Sequence, residues 1–125
     1  MGNKERNLGH RLERELAALF RSLGFTHCRT TREESKLLDS CGIDLSNLPY
    51  NVQAKSGKQR SLNYSKELKS IKEKINNNLP DDHVVKNNPN VIIHKKYVGQ
   101  GKRREEYDTL VILSLNDFVK IINNE

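Results

Sequence analysis

Gly42-Ile43-Asp44-Leu45-Ser46-Asn47-Leu48-Pro49-Tyr50-Asn51-Val52-Gln53-Ala54-Lys55 is the stretch on which the reading of this chain turns. Residues 42–46 alternate as a short strand, with Ile43 and Leu45 facing opposite to Asp44. Asn47-Leu48-Pro49 is a turn. From Tyr50 the alternation resumes: Tyr50, Val52 and Ala54 share one face, and Asn51, Gln53 and Lys55 the other. Two strands joined by three residues predict a hairpin. It would bring a carboxylate, an amide oxygen and an ammonium near one another. Oxygen ligands suit a hard cation such as Mg²⁺, and a neighbouring lysine suits negative charge developing at phosphorus. By itself the spacing also fits an edge hairpin with solvated polar side chains.

On the N-terminal side, Leu8, Leu12, Leu16, Leu19, Phe20 and Leu23 recur at helical spacing and predict a helix over 8–23, closed by Gly24. Residues 25–29 read as a short strand and 30–41 as a polar loop. On the C-terminal side, Ser65 is the expected cap of a helix over 66–78 with Leu68, Ile71 and Ile75 inward. Strands are expected at 91–98 and 107–115, joined by a basic loop. The second is the more apolar and is expected to be central. Asn116 is the expected cap of a last helix with Phe118, Ile121 and Ile122 inward. The pattern is a mixed α/β sandwich in a single domain, 1–125.

The chain has 125 residues, 34% of them apolar and 30% charged, with mean hydropathy −0.79. Twenty-two Lys and Arg against 16 Asp and Glu give a net charge of +6, which points to a polyanionic partner. The charge is uneven. Residues 53–74 hold seven cations and two glutamates, beginning at Lys55, and residues 94–106 hold five cations and two glutamates. No apolar run approaches the roughly 18 residues of a membrane span, and the first residues carry no signal-peptide pattern. Cys28 and Cys41 make no disulfide framework, so a reducing cytoplasm is expected. With His10 and His27 they lack zinc-ligand spacing. His83 and His94 read as structural or surface residues, and Gly99-Gln100-Gly101 as a hairpin turn.

Taken together, Gly9-His10-Arg11-Leu12-Glu13, Gly24-Phe25, Arg29, Gly42-Ile43-Asp44 and Val52-Gln53-Ala54-Lys55 resemble the PD-(D/E)XK nuclease superfamily, and within it the archaeal and viral Holliday junction resolvases. The resemblance covers residues 9–58. It implies a restriction-endonuclease-like fold, a mixed sheet flanked by helices. It also implies a site made of Glu13, Asp44, Gln53 and Lys55, with the backbone carbonyl of Ala54 as a further metal ligand. On a helical wheel Glu13 and Glu15 fall about +100° and −60° from Leu12, so periodicity does not choose between them. The family's spacing from Gly9 selects Glu13.

Gln53 departs from the family's carboxylate. Glutamine keeps an oxygen for the metal and drops one negative charge, which predicts weaker affinity and one metal rather than two. The resemblance implies a Mg²⁺-dependent endonuclease cutting branched DNA, with Mn²⁺ an alternative metal and a homodimer expected, since two strands must be nicked. Arg14 and Arg29 match family arginines near DNA. Lys58, Arg60 and Lys66, with Lys102, Arg103 and Arg104, are further candidate phosphate contacts. The alternatives are another nuclease of the superfamily, such as a nicking, flap or restriction-like enzyme, and a non-catalytic nucleic-acid-binding module of the same fold.

Overall fold

The computed structural model describes residues 2–58, 62–98 and 105–123. Its first element follows from the leucine spacing: α1 (Gly2–Ser22) buries Leu12, Leu16 and Ala17 on one stripe. The helix begins before residue 8 and stops where expected, with Gly24 at φ +111° in the left-handed region. The strand expected over 25–29 shrinks to β1 (Arg29–Thr30). Phe25 instead plugs the end of α1: its N–H bonds Phe20 O, and its ring meets Phe20 and Tyr50 edge-on.

The segment expected as a loop over 30–41 forms two short helices, α2 (Thr31–Glu34) and α3 (Lys36–Ser40). Ser35 between them caps α3, its hydroxyl accepting from Leu38 N. Here too the expected hairpin is corrected. β2 (Leu45–Ser46) pairs antiparallel with β1, and the next strand, β3 (Asn51–Lys58), lies in a different ladder. One backbone bond, Asp44 N to Val52 O at 2.8 Å, joins the two strand segments. Asn47, at φ 62°, turns the chain between them.

β3 runs parallel to β4 (Asn90–Val98), which pairs antiparallel with β5 (Glu105–Ile112). β4 is therefore the central strand, and the expectation that 107–115 lies centrally is wrong. Val91, Ile92, Ile93 and His94 are all buried, whereas Val111 of β5 is 62% exposed. The α4 helix (Tyr64–Asn78) crosses one face and buries Ile71 and Ile75. Its cap is Asn63, whose side chain accepts from Lys66 N, rather than Ser65. A 3₁₀ turn over Val84–Asn87 leads into β4. The last helix, α5 (Leu115–Asn123), starts on Ser114 rather than Asn116: Asp117 N donates to Ser114 Oγ. Phe118 and Ile122 are about half exposed rather than inward.

The sheet separates two cores. Leu12, Leu16, Leu45, Val52, Val91 and Ile93 pack on the α1 side, and Ile43, Ile71, Ile75, Val85 and Ile92 on the α4 side. Cys28 and Cys41 are free buried thiols, one in each core. The result is a mixed α/β domain. Among the described residues no helix is long and apolar enough to cross a membrane.

Candidate functional site

Asp44 lies where β2 and β3 part. Its backbone is held from both sides: N–H to Val52 O, and carbonyl accepting from Thr31 N at 3.0 Å. Thr31 is fully buried, and its hydroxyl also donates to Ile43 O at 2.6 Å. With the main chain fixed, Oδ2 of Asp44 accepts the Ala54 N–H at 2.8 Å. The carboxylate thus takes a donor that a longer β2 ladder would have used. Burial raises the Asp44 pKa to about 7; the negative charges of Glu13 and Asp39 add to the rise, while the Ala54 N–H and the Lys55 ammonium oppose it.

Glu13 reaches the same region from α1. It is 8% exposed, and Oε1 accepts from Arg32 Nε of α2 at 2.9 Å. Glu15 points to the rim, where it pairs with Arg11 at 3.1 Å and Lys95 at 3.3 Å. The helix therefore separates the two glutamates that periodicity left equivalent.

Gln53 and Lys55 project from β3 to the other side. Gln53 Oε1 is buried and has no hydrogen-bond partner. Room for its side chain comes from Gly42, at φ +83°, where a Cβ would meet Gln53 Nε2 at 3.0 Å. Lys55 Nζ lies 3.7 Å from Glu67 Oε2, a carboxylate in the first turn of α4. The parallel register sets His94 of β4 directly beside Lys55. His94 is buried, and its Nδ1 shares a hydrogen bond with the Tyr64 hydroxyl at 2.9 Å. Burial pushes the His94 pKa down, and the Lys96 and Lys55 charges push it further, so the ring is neutral at pH 7.

The structure thus places Glu13 and Lys55 within electrostatic reach of Asp44, whose carboxylate accepts the Ala54 N–H, while Gln53 lies beside Gly42 and Ile71. It adds Thr31, Arg32, Glu67 and Tyr64 to the neighbourhood, with His94, read from the sequence as structural or surface, beside Lys55. Arg14 and Arg29 line, with Arg21 and Glu33, a recess of about 330 Å³ between α1 and the β1–α2 segment. Arg29 also approaches Glu34 at 3.9 Å, an exposed pair of little energetic weight. Lys66 is exposed in the first turn of α4. The Lys58 side chain and Arg60, Lys102, Arg103 and Arg104 lie outside the described residues.

Among the described residues no group of three or more Asp, Glu, His or Cys side chains is placed to hold a metal. Two carboxylates, Glu13 and Asp44, lie within electrostatic reach of one another. Asp44 carries a strongly raised pKa beside Glu13, and the Gln53 oxygen has no donor. Those are the features a hard cation would relieve. The chain matches no protein-family model, no curated protein sequence and no solved structure.

Proposed function

We propose that the protein is a metal-dependent endonuclease acting on branched DNA, of the Holliday junction resolvase type, with a restriction-endonuclease-like fold. The observation that carries this reading is the arrangement at Asp44. Its buried carboxylate lies within electrostatic reach of Glu13 from α1 and of Lys55 from β3, and Gln53, two residues before Lys55, carries a buried amide oxygen without a partner. The strand order lends support: an antiparallel β1–β2 pair, then β3 parallel to β4 and β5 antiparallel beyond it.

In this reading Glu13, Asp44, Gln53 Oε1 and the Ala54 carbonyl hold Mg²⁺ or Mn²⁺. A bound divalent cation supplies electrostatic stabilisation of the phosphate and a more acidic water. Lys55 presents its ammonium to the negative charge growing on the scissile phosphate, and Glu67 holds that ammonium in place. Arg32 keeps the Glu13 carboxylate oriented. Arg14, Arg29 and Lys66 contact DNA phosphates, as do Lys58, Arg60 and the basic stretch Lys102–Arg104. A homodimer places two such centres on one junction. The half-exposed or more exposed Leu19, Leu23, Leu115, Phe118 and Ile122 favour that association. The two buried free thiols suit a reducing cytoplasm.

One observation favours the second reading, a non-catalytic nucleic-acid-binding module: Gln53 stands where the nuclease family that the chain resembles carries a carboxylate. A substrate panel separates the readings. A four-way junction, a flap and a linear duplex are incubated with the protein in Mg²⁺ and in EDTA. A resolvase nicks the junction in pairs near the branch and only with metal. Equal cleavage of linear duplex removes the structure-selective claim, and binding without cleavage leaves the module.

A further inference from the structure

Away from the candidate centre, α4, the 3₁₀ turn and α5 enclose an open recess of about 610 Å³. Four lysines line it: Lys69 and Lys72 from α4, Lys86 from the turn and Lys120 from α5. They face one lining carboxylate, Asp117, which is already engaged by Asn90 N–H at 3.0 Å and Lys120 at 3.4 Å. Lys86 pairs at its outer edge with the fully exposed Asp81. The floor is apolar, formed by Leu68, Ile75 and Val85, and asparagine amides fill the wall. Ammonium groups over an apolar floor, with neutral amides between them, match a ligand that carries phosphates on an uncharged skeleton.

The recess connects with the centre through one helix. Glu67 at the start of α4 holds Lys55, while Lys69 and Lys72 of the same helix enter the recess. Lys66, Lys69 and Lys72 form an i, i+3 row that climbs about 9 Å, the rise of two to three nucleotides at about 3.4 Å each. A free anion would need only the recess. The row favours a ligand that extends from the centre into it.

We propose that this recess is a second nucleic-acid contact, in which Lys69, Lys72, Lys86 and Lys120 hold backbone phosphates of the strand leading away from the scissile position. The assignment rests on the nuclease reading above and adds a site to it. These side chains would set affinity and reach along the strand, without reading bases.

The test is fluorescence anisotropy with a labelled four-way junction in EDTA, over a series of salt concentrations. It compares wild type, the double variant Lys69→Gln with Lys72→Gln, and Lys74→Gln. Lys74 is an exposed α4 lysine outside the recess lining. The double variant is expected to melt like wild type and to lose about 1.5 from the slope of log K against log salt, near 0.7–0.9 per phosphate contact. Lys74→Gln is expected to leave the slope unchanged. Wild-type binding and cleavage with an unaltered slope in the double variant overturns the recess assignment and leaves the nuclease reading standing. An equal loss in Lys74→Gln overturns it as well, because the effect is then net charge. Failure of wild type to bind the junction at all removes both. A parallel titration with a mononucleotide, read by NMR at the recess, is expected to show only weak shifts. Tight mononucleotide binding without a change in junction affinity reassigns the recess to a small anion.

Discussion

Asp44 is held short of ionisation by its surroundings, and that has a consequence for stability. Its folded pKa is about 7, against roughly 3.9 for an aspartate in an unfolded chain. Between those values the native state binds more protons than the unfolded state. Stability of the metal-free protein should therefore fall as pH rises from about 4 to about 7. A cation bound at the carboxylate reverses the penalty, so Mg²⁺ should raise the melting temperature most above pH 7. Asp44→Asn keeps an oxygen for the Ala54 N–H but cannot ionise. We expect it to flatten the pH-dependent fall, to melt about 4 °C or more above wild type in EDTA at pH 8, and to lose the Mg²⁺ shift. Thermal melts in EDTA and in Mg²⁺ across pH 5–8 check this. A persisting Mg²⁺ shift in the variant would show that Asp44 is not a ligand.

At the scale of elements, the α2–α3 segment sets the site. Thr31 ties Ile43 O through its hydroxyl and Asp44 O through its N–H, so α2 fixes the chain on which the carboxylate rides. Thr31→Val preserves shape and leaves a buried carbonyl without its donor. It should lower stability by about 1–3 kcal/mol in denaturant titrations and weaken Mg²⁺ affinity, with junction binding in EDTA unchanged. This segment was the least legible part of the sequence, for a physical reason: α2 buries only Thr31 and α3 buries nothing, so neither carries an apolar stripe. α1 and α4 were legible because each repeats buried residues at helical spacing. Alternation reveals the faces of a strand and not its neighbours. The β2–β3 hairpin was therefore misread, and so was the central place given to 107–115, which forms an edge strand with Val111 and Leu113 beside α5 and Ile112 against the α4-side core. Within the site, Asp44, Gln53 and Lys55 share one short stretch of chain and could be read together. Glu67 and the Tyr64–His94 couple come into range only through the parallel β3–β4 register and the course of α4, which no local pattern encodes.

Two surfaces of the described residues are unlike one another. One is basic, running from Lys55 along α4. The other is apolar: Phe20, Val111, Leu113 and Phe118 line a groove of about 310 Å³ between α1, β5 and α5, with Leu115 and Ile122 exposed nearby. An apolar face on a chain this charged is expected to be covered by a second copy, which leaves the basic faces of both copies free for DNA. Sedimentation velocity should find wild type dimeric at micromolar concentration, and Leu115→Asp combined with Ile122→Lys monomeric with a native melt. A wild type that stays monomeric would remove the dimer and, with it, the simplest route to paired nicks.

Glu13, Asp44, Gln53 and Lys55 are proposed to form one hydrolytic centre. Its most direct test follows nicking of a labelled four-way junction by wild type, Asp44→Asn and Lys55→Ala in Mg²⁺ and in EDTA, with junction binding measured alongside. Wild type is expected to give paired nicks near the branch, in metal only. Each variant should nick at least about 10²-fold more slowly, with binding within a few-fold of wild type. A wild type that binds the junction and leaves it uncut in both Mg²⁺ and Mn²⁺, or an Asp44→Asn variant that cuts at the wild-type rate, would contradict it.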